Sequence, residues 1–208
     1  YRHALECRMP RPRKIATVLE SVPTLEGAGV HLRRVFGHGH VPMLDPFLML
    51  DDFTSDDPEK FLPGFPWHPH RGIETVTYML DGKVEHGDSM GNAGTIAAGE
   101  MQWMTAGSGI INQEMPEPVA NRMGGFQLWV NLPAKLKMMR PRYREIKKGQ
   151  VPEVELDGVN VRVLCGRFGG EIGPVKDIVV EPEYLDISMK PGKSFEHEIR
   201  SGHTAFAF

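Results

Sequence analysis

Glycine and proline break this chain more often than any long helix could survive. It carries 23 Gly and 17 Pro in 208 residues. Over the first ~130 residues a turn signal arrives about every ten. The pieces between these breaks are short and rich in β-branched and aromatic residues, which fit a pleated, half-buried surface. The spacing predicts an all-β chain, either a sandwich or a barrel-like jelly roll. Hydrophobic residues make up 40% and charged residues 25%. That is ordinary globular composition, and it excludes a disordered tail, a collagen-like repeat and a membrane bundle.

The clearest strand is Glu74-Thr75-Val76-Thr77-Tyr78-Met79-Leu80. Period two places Val76, Tyr78 and Leu80 on one face. Asp81-Gly82 follows directly and a second short run, Lys83 to His86, comes next, which predicts a hairpin. Val30 to Phe36, Phe47 to Leu50 and Gly125 to Leu132 read as further strands. Pro133 to Arg144 shifts in composition and reads as a linker. Val159 to Leu164 and Tyr184 to Ser188 open a second β-rich region, with Met189 to Lys193 as a turn between strands. Residues 1–14 are expected to form a strand or an ordered arm. His203 to Phe208 alternate like the start of a strand.

The formal net charge is −3 and the pI about 6.3. There is no global excess of cations to neutralise phosphates, so direct nucleic-acid binding is not expected. Lys135 to Lys148 is locally basic, either a solvated linker or short helix, or a patch for an acidic partner. Cys7 and Cys165 stand in no metal or redox spacing and read as inert thiols of a reducing compartment, so a cytoplasmic location is expected. No apolar run approaches the ~18 residues of a membrane helix.

His68-Pro69-His70 is the first candidate for chemistry. On a strand, residues i and i+2 point the same way, so both imidazoles can reach one ion; on a helix they diverge by about 160°. The prolines argue for a strand. A second such pair, His38-Gly39-His40, lies between glycines and reads as a structural or surface pair, so the spacing alone is weak. Asn112-Gln113-Glu114 strengthens the first pair, because it is also i, i+2 after a glycine turn. Two same-face pairs on two strands would offer four ligands, and two imidazoles with a carboxylate suit non-haem Fe(II). Asn112 contributes a neutral, hard oxygen, which favours Mg or Mn over Zn or Cu. The competing reading is a set of buried, hydrogen-bonded polar groups. Glu74 is either a ligand or a partner of Arg71, and Gln102 and Trp103 read as core or pocket wall.

The run Phe65-Pro66-Trp67-His68-Pro69-His70-Arg71-Gly72-Ile73-Glu74-Thr75-Val76-Thr77-Tyr78-Met79-Leu80-Asp81-Gly82 resembles the pirins, of the cupin superfamily. So do Gln102-Trp103-Met104-Thr105-Ala106-Gly107-Ser108-Gly109-Ile110-Ile111, Glu114-Met115-Pro116 and Gln127-Leu128-Trp129-Val130-Asn131-Leu132. The resemblance implies a bicupin, two antiparallel β-barrels in tandem with one metal, usually iron, in the first. An N-terminal cupin would span residues 1–135. A linker and part of a C-terminal cupin would span 136–208, the chain stopping inside the second barrel.

By the same resemblance His68 and His70 are metal ligands and Glu114 is the carboxylate ligand. Asn112 stands where the family has a third histidine. Fe(II) is the expected ion, with Mn, Zn, Ni or Cu as alternatives. Glu74 is expected near the site as a group that orients a ligand. The resemblance implies one of two functions. The first is a quercetin 2,3-dioxygenase acting on flavonol-like molecules, with a carboxylate, Glu114, taking the hydroxyl proton. The second is a non-enzymatic, metal-dependent regulator of the transcription-cofactor type that binds a protein partner, in the nucleus if eukaryotic. A monomer is expected in either case.

Overall fold

The computed structural model describes residues 12–117 and 121–208. Cys7 and most of the arm expected at 1–14 lie outside these residues. The described chain is almost entirely β. Its strands are β1 (Val22–Glu26), β2 (Val30–Phe36), β3 (Phe47–Asp52), β4 (Phe65–His70), β5 (Ile73–Asp81), β6 (Lys83–Asp88), β7 (Ala93–Ala97) and β8 (Met101–Thr105). There follow β9 (Ile110–Glu117), β10 (Gly124–Asn131), β11 (Arg142–Ile146), β12 (Glu153–Leu156), β13 (Val159–Cys165), β14 (Arg167–Phe168), β15 (Glu171–Ile172) and β16 (Tyr184–Met189). The one α-helix among the described residues, α1 (Pro58–Phe61), starts with Pro at its first position and is capped by the Asp57 side chain, which accepts from Glu59 N.

A seven-stranded sheet in the order β1-β2-β3-β10-β5-β8-β11 faces a four-stranded sheet in the order β4-β9-β6-β7. Side chains from both sheets meet in the space between them, where Met79, Val84, Ile96, Phe61 and Met123 form an apolar plug. The other face of the large sheet packs against the C-terminal region, where β12-β13-β16 form a three-stranded sheet. Val76, Tyr78, Trp103 and Leu128 share that second core with Leu164, Cys165 and Val175. The large sheet is thus buried on both faces. Tyr78 ties the layers together: its hydroxyl donates to Asp186 Oδ2 at 2.6 Å and accepts from Arg162. Burial pushes the Cys165 thiol up to about 12, which keeps it inert.

Several expectations are corrected. Asp81-Gly82 does not close a hairpin. β5 pairs with β8 and β10, β6 pairs with β7 and β9, and Gly82 is the corner at which the chain crosses from one sheet to the other. Its φ of +75° is what that corner requires. Leu80 is exposed at the end of β5, while Val76 and Tyr78 are buried.

The segment read as a linker or short helix contains β11, which adds an edge to the large sheet beside β8. Lys135, Arg140, Lys147 and Lys148 stay exposed, while half-buried Arg144 reaches Thr105 Oγ1 and the Asp177 carbonyl and Lys147 pairs at the surface with Glu100 and Glu145. No strand follows the turn at Met189 to Lys193. In place of the alternating strand expected at 203–208, Phe206 packs edge-on against Phe36 and Phe47, and Phe208 against Phe126.

Candidate metal centre

β4 and β9 are antiparallel neighbours, with His68 directly opposite Asn112 and His70 opposite Ile110. Strand alternation then puts His68, His70, Asn112 and Glu114 on the face that looks into the barrel. The Nε2 atoms of His68 and His70 stand 2.9 Å apart. Two imidazoles bound at ~2.1 Å in neighbouring positions of one ion would be separated by about 3 Å, so the pair fits that arrangement.

The His68 ring is oriented by its other nitrogen. Nδ1 lies 2.8 Å from the Pro66 carbonyl, which can only accept, so Nδ1 donates there and Nε2 is the nitrogen turned toward His70. His70 is buried and meets the Trp129 ring edge-on at 5.3 Å. Burial first, and the neighbouring His68 second, push its imidazole down to about 4, so it is neutral and ligand-ready near pH 7.

Asn112 is buried, and its Oδ1 has no hydrogen-bond partner among the described residues. A buried carbonyl oxygen without a donor costs about 1–3 kcal/mol, and a cation would satisfy it. Glu114 sits in a socket of neutral donors. Thr77 Oγ1 lies 2.7 Å from its Oε1, Gln102 Nε2 donates to the same oxygen, and Gln127 Nε2 donates to Oε2 at 3.1 Å. Burial raises its carboxyl above the usual range, with the Thr77 bond opposing.

Among the described residues no three His, Cys, Asp or Glu side chains close around one point at metal distance. The structure therefore brings the two imidazoles together and aligns Asn112 with them, while Glu114 is held by its own partners. Two imidazole nitrogens and an unsatisfied oxygen are a donor set that fits a divalent ion.

Sequence reasoning missed four contributors. Thr77 and Gln127 grip Glu114 from β5 and β10. His86 lies opposite Glu114 on β6, and its Nε2 is 2.7 Å from the Tyr143 hydroxyl of β11. Period two in β5 and β10 marks Thr77 and Gln127 as polar groups on strands buried on both sides, a signal that could have flagged them. Tyr143 carries no such signal.

Gln102 lines the site and Trp103 lies in the core on the opposite face, both within the expected core or pocket wall. Glu74 is corrected: it shares the face of Val76 and Tyr78, accepts from Thr105 Oγ1 at 2.7 Å, and pairs neither with Arg71 nor with the site. His40 Nδ1 accepts from Gly37 N, so that imidazole serves its own turn.

The pirin family profile matches residues 29–130. A pirin-like protein of Caulobacter vibrioides is 46% identical over 195 residues, covering 93% of this chain and 71% of that protein. A protein of Pseudomonas aeruginosa provisionally named quercetin 2,3-dioxygenase is 45% identical over 205 residues, covering 96% and 72%. Among solved structures, a quercetin 2,3-dioxygenase of Acinetobacter baumannii superposes with a TM-score of 0.69 at 35% identity, over 77% of this chain and 59% of that one. The paired imidazoles thus sit in a cupin barrel whose relatives share both its sequence and its shape, and the chain belongs to the pirin family.

Proposed function

We propose that this chain binds a divalent metal ion, iron in the first place, and acts as an oxygenase on flavonol-like substrates. The observation that carries the reading is the 2.9 Å approach of the His68 and His70 Nε2 atoms beside the unpartnered Oδ1 of Asn112. The similarity to proteins named quercetin 2,3-dioxygenase supports the substrate class. His68 and His70 would hold the ion, with Asn112 and Glu114 completing the set. When bound, the ion would supply a site where substrate and O₂ meet.

The chain's own residues do the rest. The Pro66 carbonyl fixes the His68 tautomer, and Trp129 holds the His70 ring. Glu114 takes the substrate's hydroxyl proton at Oε2, the oxygen with one donor instead of two. Iron-loaded protein incubated with quercetin and air should bleach the flavonol absorbance. Loss no faster than with free iron alone would contradict the reading.

A second reading is a non-enzymatic module whose metal tunes a protein-binding surface. It is favoured by Trp67 and Ile111, exposed on the outer face of the same two strands that carry the histidines and Asn112. On this reading metal loading changes Trp67 fluorescence, measured as the difference between wild type and Trp67→Phe. An unchanged difference with metal bound would count against it.

A further inference from the structure

A cavity of about 530 Å³ opens at the His70 end of the barrel. That is large enough for a molecule of two or three rings. Leu48, Ile73 and Trp129 give it apolar walls, and the Trp129 indole N–H has no partner among the described residues. Among those residues the charged and titratable groups that line it are His38, His70 and Arg71, with no carboxylate.

Arg71 is exposed, and its one side-chain partner among the described residues is the Met138 sulphur, at 3.3 Å. A thioether is a weak acceptor and leaves the guanidinium charge uncompensated. Lys137 lies behind the neighbouring Gly72, outside the cavity wall, and adds positive charge near the rim. Its ammonium donates to two neutral oxygens, the Gly72 carbonyl at 2.9 Å and Asn131 Oδ1 at 2.6 Å. Cation-rich rims around apolar walls select ligands with an apolar body and an anionic end. The fork of an arginine matches a carboxylate through two parallel hydrogen bonds.

We propose that this cavity binds a flat aromatic carboxylate, its ring against Trp129 and its carboxylate on Arg71. The proposal rests on the reading above in placing the ligand beside the metal-binding imidazoles, and it adds an anionic group that reading does not require. It gives His38, read from the sequence as a structural or surface residue, a place on the rim of the site.

The test is equilibrium binding to the metal-free chain of 2-naphthoate and its neutral isostere 2-naphthalenemethanol, followed by calorimetry and tryptophan fluorescence. The expected result is at least a tenfold preference for 2-naphthoate. Arg71→Gln should abolish that preference and leave the neutral compound's affinity unchanged. Arg71→Lys should keep part of it, since the charge stays and the fork is lost. Equal binding of the two compounds, a preference that survives in Arg71→Gln, or no binding of either would overturn the proposal. No metal or oxygen enters the measurement. Absence of quercetin turnover therefore leaves this proposal standing, and failure here leaves the metal reading standing.

Discussion

The Tyr143 hydroxyl lies 2.7 Å from Nε2 of His86, and the two rings stack at 4.9 Å with 25° between their planes. The same hydroxyl reaches Gln102 Oε1 at 3.3 Å, and Gln102 donates to Glu114. A residue on the edge strand β11 thereby fixes the amide that holds the buried carboxylate. Tyr143→Phe keeps the stack and removes the hydroxyl, leaving two buried groups short of a partner. Urea unfolding should show a loss of about 1–3 kcal/mol. An unchanged midpoint would mean that solvent replaces the hydroxyl.

Glu74 offers a pH signature on the opposite face of β5. Burial raises its carboxyl above the ordinary value of about 4.3, with the Thr105 bond working against the shift. A carboxyl raised in the folded state stabilises the fold below its unfolded value, and that contribution is lost as pH rises through the folded value. Glu74→Gln removes the titration. As pH rises past the ordinary carboxylate range, wild-type stability should fall relative to the variant until the folded-state carboxyl has ionised. A gap that does not change with pH would contradict this.

Gly82 is the corner that replaces the expected hairpin. A Cβ there would meet the Arg122 carbonyl oxygen at 2.7 Å, at a φ of +75°. Both features oppose a side chain, so Gly82→Ala should cost about 2 kcal/mol and lower Tm by roughly 4–8 °C. A Tm within a degree of wild type would show that the corner relaxes freely.

The parts of the fold that follow from local periodicity were legible, and those that follow from pairing across the chain were not. Period two in His68-Pro69-His70 was enough to predict convergence of the imidazoles, because the strand itself sets it. Asp81-Gly82 has the composition of a hairpin turn, but local chemistry does not distinguish a chain that doubles back from one that changes sheets. Glu74 was misplaced because a strand buried on both faces shows no polar side, and only the register with Thr105 reveals which core it enters. Tyr143 reaches the site through the pairing of β11 with β8, and nothing within residues 142–146 announces that partner. Phe206 and Phe208 alternate as a strand would, yet they lie exposed with edge-on contacts to the rings of Phe36, Phe47 and Phe126.

The proposed metal centre requires two imidazoles and one amide oxygen to converge on a divalent ion. Anaerobic Fe(II) titration of the metal-free chain, set beside His70→Ala and Asn112→His, tests this most directly. One ion per chain is predicted, weakened by at least about tenfold in His70→Ala and tightened by about tenfold in Asn112→His. Binding that is unchanged in both variants, or no saturable binding in the wild type, would contradict the account.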